Sequence, residues 1–521
     1  MAEAQLKQTV GIVEIGSSAI RMILAEIGPK TEIRYLENLQ KPVALGKDVF
    51  TTTRISSSTI KNCISVLKNF KTILDSYHVK QVHAVATSAV REAINRDNFV
   101  DQIFVRTGID VEVIEGAEEN RLDLIAVDLA LRDQFDFKTK NCLIIEVGSG
   151  STEMIILSKG EVELTRTLSI GSIRLPEQAI AGKTKPDVMR SVLKRSIHGI
   201  AQHAGREHSL GELDSFIALG SDMRFVAKQL VEKGNDHFVI LGKKEFLKFI
   251  EGLSKLSADE IVKQFGMVFA EAETLYPTLL FYQCFLGETK AEEIIVPMTS
   301  IRDALLLESA QLFSGYKRTD LSRQVINSSK SLARKYMYDE AHALCVAQLA
   351  LKLFDVLREE HGLGSRGRLL LEVSAILHDI GMYISATSHH KHSSYLVDAA
   401  EIFGLRKVDK DIVSNVVRYH RRTTPQTSHV AYMSLSKTDR AIVSKLSAIL
   451  RVADALDRSH QQKIRSFALE KKEDVFELWV SEDAGDISIE REGLIKKGGM
   501  FSDIFGVAIA LKQGKLSPKG S

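Results

Sequence analysis

Two stretches of this chain repeat one pattern. "IVEIGSSAIRM" (12–22) and "IIEVGSGSTEM" (144–154) each read as an apolar run, a glutamate, one apolar residue, Gly-Ser, then a second apolar-rich run. Short apolar runs bounded by Gly and Ser read as strands joined by tight turns. Finding the pattern twice constrains the fold to two similar α/β halves, each opening on a strand–turn–strand unit. The rest of each half agrees. "SSSTIKNCISVLKNFKTILDSYHV" (56–79) has helical spacing after a Ser/Thr start, "QVHAVATSAVREA" (81–93) reads as strand into helix, and "VEVIEGAEENRLDLIAVDLALR" (111–132) reads as strand, turn, helix. In the second half, 141–172 reads as two or three consecutive strands. "SFIALGSDMRFVAKQL" (215–230) and "EEIIVPMTSIRDALLLESA" (292–310) each read as strand, loop, helix.

After about residue 320 the texture becomes helical, as in "DEAHALCVAQLALKLFDVLREEHGL" and "IVSKLSAILRVADALDRSH". From about 463, short strand-like runs surround one expected helix and end in the loose tail "KQGKLSPKGS". The expected division is a lobe at 1–132, a lobe at 133–318, a helical domain at 319–462 and a small α+β region with its tail at 463–521. A length of 521 residues suits several domains. A net charge of +2 supplies no bulk attraction to nucleic acid or membrane. No N-terminal apolar segment reads as a signal peptide and no run is long enough to span a bilayer, so a cytoplasmic location is expected. Cys63, Cys142, Cys284 and Cys345 lack metal or redox spacing and read as buried apolar residues of a reducing compartment.

The Gly-Ser loops carry the chemistry. Successive N–H groups in a tight Gly/Ser turn form an anion-binding concavity, and Ser and Thr hydroxyls add donors. Gly16, Ser17 and Ser18 form one candidate phosphate loop, and Gly148, Ser149, Gly150, Ser151 and Thr152 the other. Glu14 and Glu146 end otherwise apolar strands, where a carboxylate needs a partner. Facing each other, they suit Mg²⁺ bridging to phosphate oxygens. A plain pair of β-turns is the alternative for loops of this kind.

With "ATSAVREAINRDNF", "TGIDVEVIEGAEENRLDLIAV" and "LSIGSIRLPE" in the same order, these loops resemble the exopolyphosphatase / guanosine pentaphosphate phosphohydrolase (Ppx/GppA) family of the actin-like ATPase superfamily. The resemblance, which runs from about residue 9 to the end of the helical domain, implies duplicated actin-like (ribonuclease H-like) α/β lobes and an all-α HD domain, ahead of the small α+β C-terminal region. It implies Mg²⁺-dependent hydrolysis of the terminal phosphoanhydride of inorganic polyphosphate, processively, or of guanosine pentaphosphate. Glu119 matches the water-activating glutamate, with Glu118 as fallback. Arg91 matches a phosphate-side arginine, Arg21 is placed with the phosphates, and Glu153 joins Glu14 and Glu146 around Mg²⁺. A homodimer is implied, with neither membrane nor nucleic acid as partner.

The family usually has Asp at both Glu14 and Glu146. The changes leave three readings open: a displaced but active metal, a slow or altered enzyme, or a non-catalytic sensor of polyphosphate or alarmone. In the helical region, His342, His378, Asp379 and Asp454 resemble the signature of HD phosphohydrolases, whose imidazole–carboxylate sets suit a divalent metal. A metal-dependent nucleotide hydrolase with regulatory lobes is therefore a second enzymatic reading. The basic runs "SHHKHSS" and "VRYHRR" are expected to supply a polyanion channel through His390, Lys391, His392, Arg418, His420 and Arg421. His389, His390 and His392 are alternative metal ligands.

Overall fold

A computed structural model of the chain describes residues 7–132, 134–174, 191, 195, 199, 210–232, 235–314 and 320–514. The boundaries expected at 132/133 and 318/319, and the tail from 515, fall outside the described residues. The chain forms two compact units, Met1–Leu321 and Ser322–Ser521.

The first unit contains two mixed sheets. One is built from β1 (Gln8–Ile15), β2 (Ala19–Ile27), β3 (Ile33–Pro42), β4 (Gln81–Ala86) and β5 (Val111–Val113), in the order β3-β2-β1-β4-β5. The other is built from β6 (Asn141–Val147), β7 (Thr152–Ser158), β8 (Glu161–Leu168), β9 (Ser215–Ala218), β10 (Phe238–Gly242) and β11 (Glu293–Pro297), in the order β10-β11-β9-β6-β7-β8. Each sheet opens with a three-stranded antiparallel meander, and the next strand adds in parallel to the far side of the first. The repeated sequence pattern is thus a repeated topology, with β1–β2 matching β6–β7.

Both faces of the first sheet are covered, which is why β1 reads as a near-continuous apolar run. Val13 and Ile15 pack with Ile60, Ile64, Leu67, Phe70 and Leu74 of the helix Ser57–Ser76. Ser56 caps that helix by accepting from the Thr59 N–H. On the opposite face, Val10, Ile12, Ile23 and Ile27 meet Leu306 and Ala310 of the helix Ile301–Phe313. That helix follows the last strand of the second sheet, so the two lobes share elements. The second sheet has its own core around Phe216, Phe246, Phe281 and Phe285.

The second unit is mainly helical. Its longer helices are Ser322–Lys335, Glu340–Val356, Ser365–Leu377, His389–Ala399, Lys407–Tyr419 and Lys437–Leu456. The sheet β12 (Ala468–Lys471), β13 (Val475–Val480) and β14 (Ala508–Gln513) follows, in the order β12-β13-β14. Two helices, Ser488–Lys497 and Gly499–Phe505, lie between β13 and β14, where the sequence suggests one. Gly498 and Gly499 end the first and admit the second. No described helix is long and apolar enough to cross a membrane. Cys63, Cys142 and Cys345 are buried.

Candidate active site

The two Gly-Ser loops adopt the same turn. The Gly16 N–H donates to Ala19 O at 3.0 Å, and the Gly148 N–H donates to Ser151 O at 2.9 Å. Their carbonyls are tied back. Gly46 and Val43 donate to Ser17 O and Ser18 O, while Ser172 and Ile173 donate to Gly148 O and Ser149 O. What each loop offers outward is therefore N–H and hydroxyl donors. Both loops line one cavity of about 260 Å³, through Gly16, Ser17 and Ser18 on one side and Gly148, Ser149 and Ser151 on the other.

Glu119 reaches this cavity from the helix Gly116–Leu131, whose N-terminus the chain enters directly from β5. It is buried and ion-paired with Arg91, which also donates to Ile114 O at 2.8 Å. Burial pushes the Glu119 carboxyl up to about 7, with Arg91 pulling it down and the charges of Glu146 and Glu14 adding to the rise. Glu118 turns away, chelated by Arg121, which also holds Glu308. The second glutamate of the pair is therefore the one that faces the cavity.

Strand register explains the metal candidates. Glu14 sits across from Arg21, and Glu146 across from Glu153 at the equivalent place in the second meander. The two pairs differ in charge. Glu14 is ion-paired with Arg21 at 3.4 Å and with Arg302 at 3.1 Å. Two guanidinium groups thus lie against Glu14, the cavity-lining carboxylate expected to help hold Mg²⁺. Arg21 in turn is committed to Glu14 and to Gln40. Thr152 is fully buried with its hydroxyl on Ile170 O, so its side chain supports the loop instead of facing the cavity. Gly150 and Arg91 are likewise absent from the lining.

The sequence reading missed Asp123, Asp222, Arg224 and Arg302. Asp123 lies one helical turn beyond Glu119 on the same face. It is buried against Glu146, lines the cavity, and has an oxygen with no hydrogen-bond partner. Glu153 also has a buried, unpartnered oxygen. Burial and neighbouring carboxylates raise both groups well above the usual carboxylate range. Asp222 and Arg224 follow the Gly220-Ser221 turn after β9, and Arg302 follows Ser300 after β11. The strand–turn–helix pattern in both places was the available signal.

In the second unit, the ligand atoms of His342, His378 and Asp454 lie within 4.8 Å of one another, and Asp379 is 3.7 Å from His378. Of the residues expected to form a polyanion channel, His390 and His420 are buried. His390 is buried and burial holds it neutral, down to about 4. His420 is buried with its Nε2 3.4 Å from Asp379. Lys391 is exposed, and His392, Arg418 and Arg421 are partly exposed.

A family model described as the Ppx/GppA phosphatase family matches residues 23–313, more than half of the chain. The chain belongs to this family. A second model, described as Ppx/GppA phosphatase, domain III, matches residues 326–487. Among curated relatives, a guanosine-5'-triphosphate,3'-diphosphate pyrophosphatase of Aeromonas hydrophila is 22% identical, over 93% of this chain and 97% of its own length. One of the same description from Photobacterium profundum is 21% identical over 87% of each. Among solved structures, an exopolyphosphatase from Cytophaga hutchinsonii superposes with a TM-score of 0.54 at 22% identity, covering 60% of this chain and 99% of that one. Its likeness supports the two-lobe, actin-like Ppx/GppA fold. Members of the Ppx/GppA family are phosphoanhydride hydrolases that depend on a divalent metal ion, and this chain is a phosphoanhydride hydrolase of that family.

Proposed function

We propose that the cavity between the two loops removes the terminal phosphate of inorganic polyphosphate or of guanosine pentaphosphate, with Mg²⁺. The observation that carries this reading is the pairing of two identical donor turns around a cavity that also holds Glu119. The relatives' printed names and the exopolyphosphatase neighbour support the two substrate classes. Both classes present the same terminal anhydride.

The donor set fits a divalent ion. Seven carboxylates line the cavity against three guanidinium groups, an excess that would repel a polyanion unless a cation offset it. The unpartnered oxygens of Asp123 and Glu153, beside Glu146, are the hard oxygen donors Mg²⁺ prefers. These three residues would hold it. Bound there, the ion would offset charge on the terminal and leaving phosphate oxygens. The loops hold phosphate oxygens by N–H and hydroxyl donors. Glu119 takes the proton of the attacking water, and Arg91 orients its carboxylate. A basic residue poised near neutral pH suits that task.

Phosphate release from long-chain polyphosphate and from guanosine pentaphosphate, followed across pH, tests the reading. Glu119 must be ionised to accept a proton, so the rate with the preferred substrate should fall tenfold per pH unit below about 7. Release from neither substrate would sink the proposal. Asp123→Asn removes one donor and should raise the Mg²⁺ concentration giving half-maximal rate by at least tenfold, read from a metal titration. An unchanged titration would remove Asp123 from the ion's ligands.

A further inference from the structure

Residues 171–174 run along the back of the second phosphate loop. Ser172 N–H donates to Gly148 O at 3.1 Å, while Ile173 and Arg174 donate to Ser149 O at 3.0 and 3.2 Å. Arg174 is only 6% exposed, yet it does not line the cavity. Its side chain reaches the first lobe instead. The guanidinium carbon lies 4.4 Å from the centroid of the Phe50 ring, and Nη2 pairs with Glu92. Arg174 Nε is buried with no hydrogen-bond partner, so the ring face and Glu92 are what hold this guanidinium.

Phe50 comes from the helix Leu45–Thr52 and packs against the core of the first sheet. Its ring stands behind both loops. A Cβ at Gly46 would lie 3.0 Å from Phe50 Cε2 and 3.1 Å from Ser17 Cβ. Gly46 is the residue whose N–H holds Ser17 O, at 2.8 Å. A Cβ at Gly150 would collide with the Phe50 ring and lie 2.8 Å from Ser88 Oγ. Ser88 Oγ is in turn 3.1 Å from Ser17 Oγ. One ring therefore touches the support of the first loop and the backbone of the second, and Arg174 covers its face.

We propose that Phe50 and Arg174 are positioning residues, a latch that holds the two loops at substrate-binding spacing before any substrate arrives. The inference rests on the cavity being the phosphate site. A guanidinium over a desolvated aromatic face is attracted by the ring's negative charge density. Glu92 strengthens the tie and extends it. It ends the helix Ser88–Glu92, next to Arg91, so the same cation joins the second loop to the element that holds Glu119. The latch has a force to oppose, because the excess of carboxylates around the cavity favours a wider spacing.

The kinetic consequence has a definite sign. A terminal anhydride must meet the donors of both loops together. Without the latch, only the fraction of chains with the loops at that spacing binds, and the apparent dissociation constant rises by the inverse of the fraction. Once bound, the phosphate oxygens bridge the loops themselves, so the rate at saturation is kept. KM rises and kcat does not. A variant that had merely lost folded chain would lose kcat at constant KM.

The test uses the full-length chain and steady-state kinetics on whichever of polyphosphate and guanosine pentaphosphate the wild type cleaves. Arg174→Ala and Phe50→Leu should each raise KM about tenfold, with kcat within about twofold. The double variant should raise it no further than the larger single change, since both remove one latch. Arg174→Lys keeps a cation at the ring and should hold KM within about threefold of the wild type. Should Arg174→Ala fail to fold, Phe50→Leu decides. Amide hydrogen exchange of the ligand-free chains needs no substrate. Peptides spanning 14–20 and 146–152 should exchange faster in both single variants, and peptides from the helix Ser365–Leu377 should not change. Faster loop exchange beside a wild type that releases phosphate from neither substrate would uphold the latch and refute the assigned function. Wild-type release with KM unchanged in the variants, a fall in kcat alone, or loop exchange that stays the same each overturns the latch.

Discussion

Arg91→Ala is expected to lower phosphate release from polyphosphate by at least about a hundredfold at pH 7, and to move the acid limb of the pH profile upward. Arg91 is the cation that offsets the burial of Glu119. Without it, desolvation and the neighbouring carboxylates act unopposed, the Glu119 carboxyl rises above about 7, and the proton-accepting form becomes scarce at neutral pH. Losing one partner of a buried pair costs about 3–5 kcal/mol when the charge stays, and protonation of Glu119 relieves part of that. The checks are a rate–pH profile from pH 6 to 10 and a thermal melt. Rates that recover toward the wild-type value at alkaline pH would support the account. A flat, low profile would mean that Arg91 acts on the phosphate and not through Glu119.

Gly171→Ala should be almost as damaging, for a steric reason. A Cβ at Gly171 would lie 2.5 Å from the carbonyl carbon and oxygen of Ser149 and 2.6 Å from the Gly150 nitrogen. These are backbone atoms of the second phosphate loop, so relief requires moving the loop itself. Misplacement by about 1 Å costs on the order of a hundredfold in rate. The comparison is Gly252→Ala, where a Cβ meets nothing within 4 Å. Steady-state kinetics on both variants should show a loss of tenfold or more for Gly171→Ala and none for Gly252→Ala. Equal rates would remove the loop's position from the account.

The sequence exposes what is built locally. A strand, a carboxylate and a Gly-Ser turn are contiguous, so the two loops and the duplication could be read before any coordinates, while Glu119 came only through the family resemblance. Partnerships across the fold could not. Glu14 is ion-paired with Arg302, which belongs to the helix Ile301–Phe313, and nothing near Glu14 in the sequence announces it. Asp123 sits in "LDLIAV", where it looks like one polar residue in a short apolar stretch; its role depends on where Glu146 lands. The basic runs are only partly legible, because a run of charge does not say which members turn inward. In the helix His389–Ala399, His389, His390, Ser393 and Ser394 face inward at helical spacing, while Lys391 is exposed. His420 follows the last turn of its helix, where the Val417 carbonyl fixes its ring toward Asp379.

The most direct test of the central claim is phosphate release from long-chain polyphosphate with Mg²⁺, and from guanosine pentaphosphate, comparing the wild type with Glu119→Gln. The substitution keeps the shape and a hydrogen-bond acceptor for Arg91 but removes the proton acceptor, so the rate should fall by about 10² to 10⁴ while the melting curve stays in place. Wild-type release that survives intact in Glu119→Gln would contradict the assignment of the chemistry to the cavity between the loops.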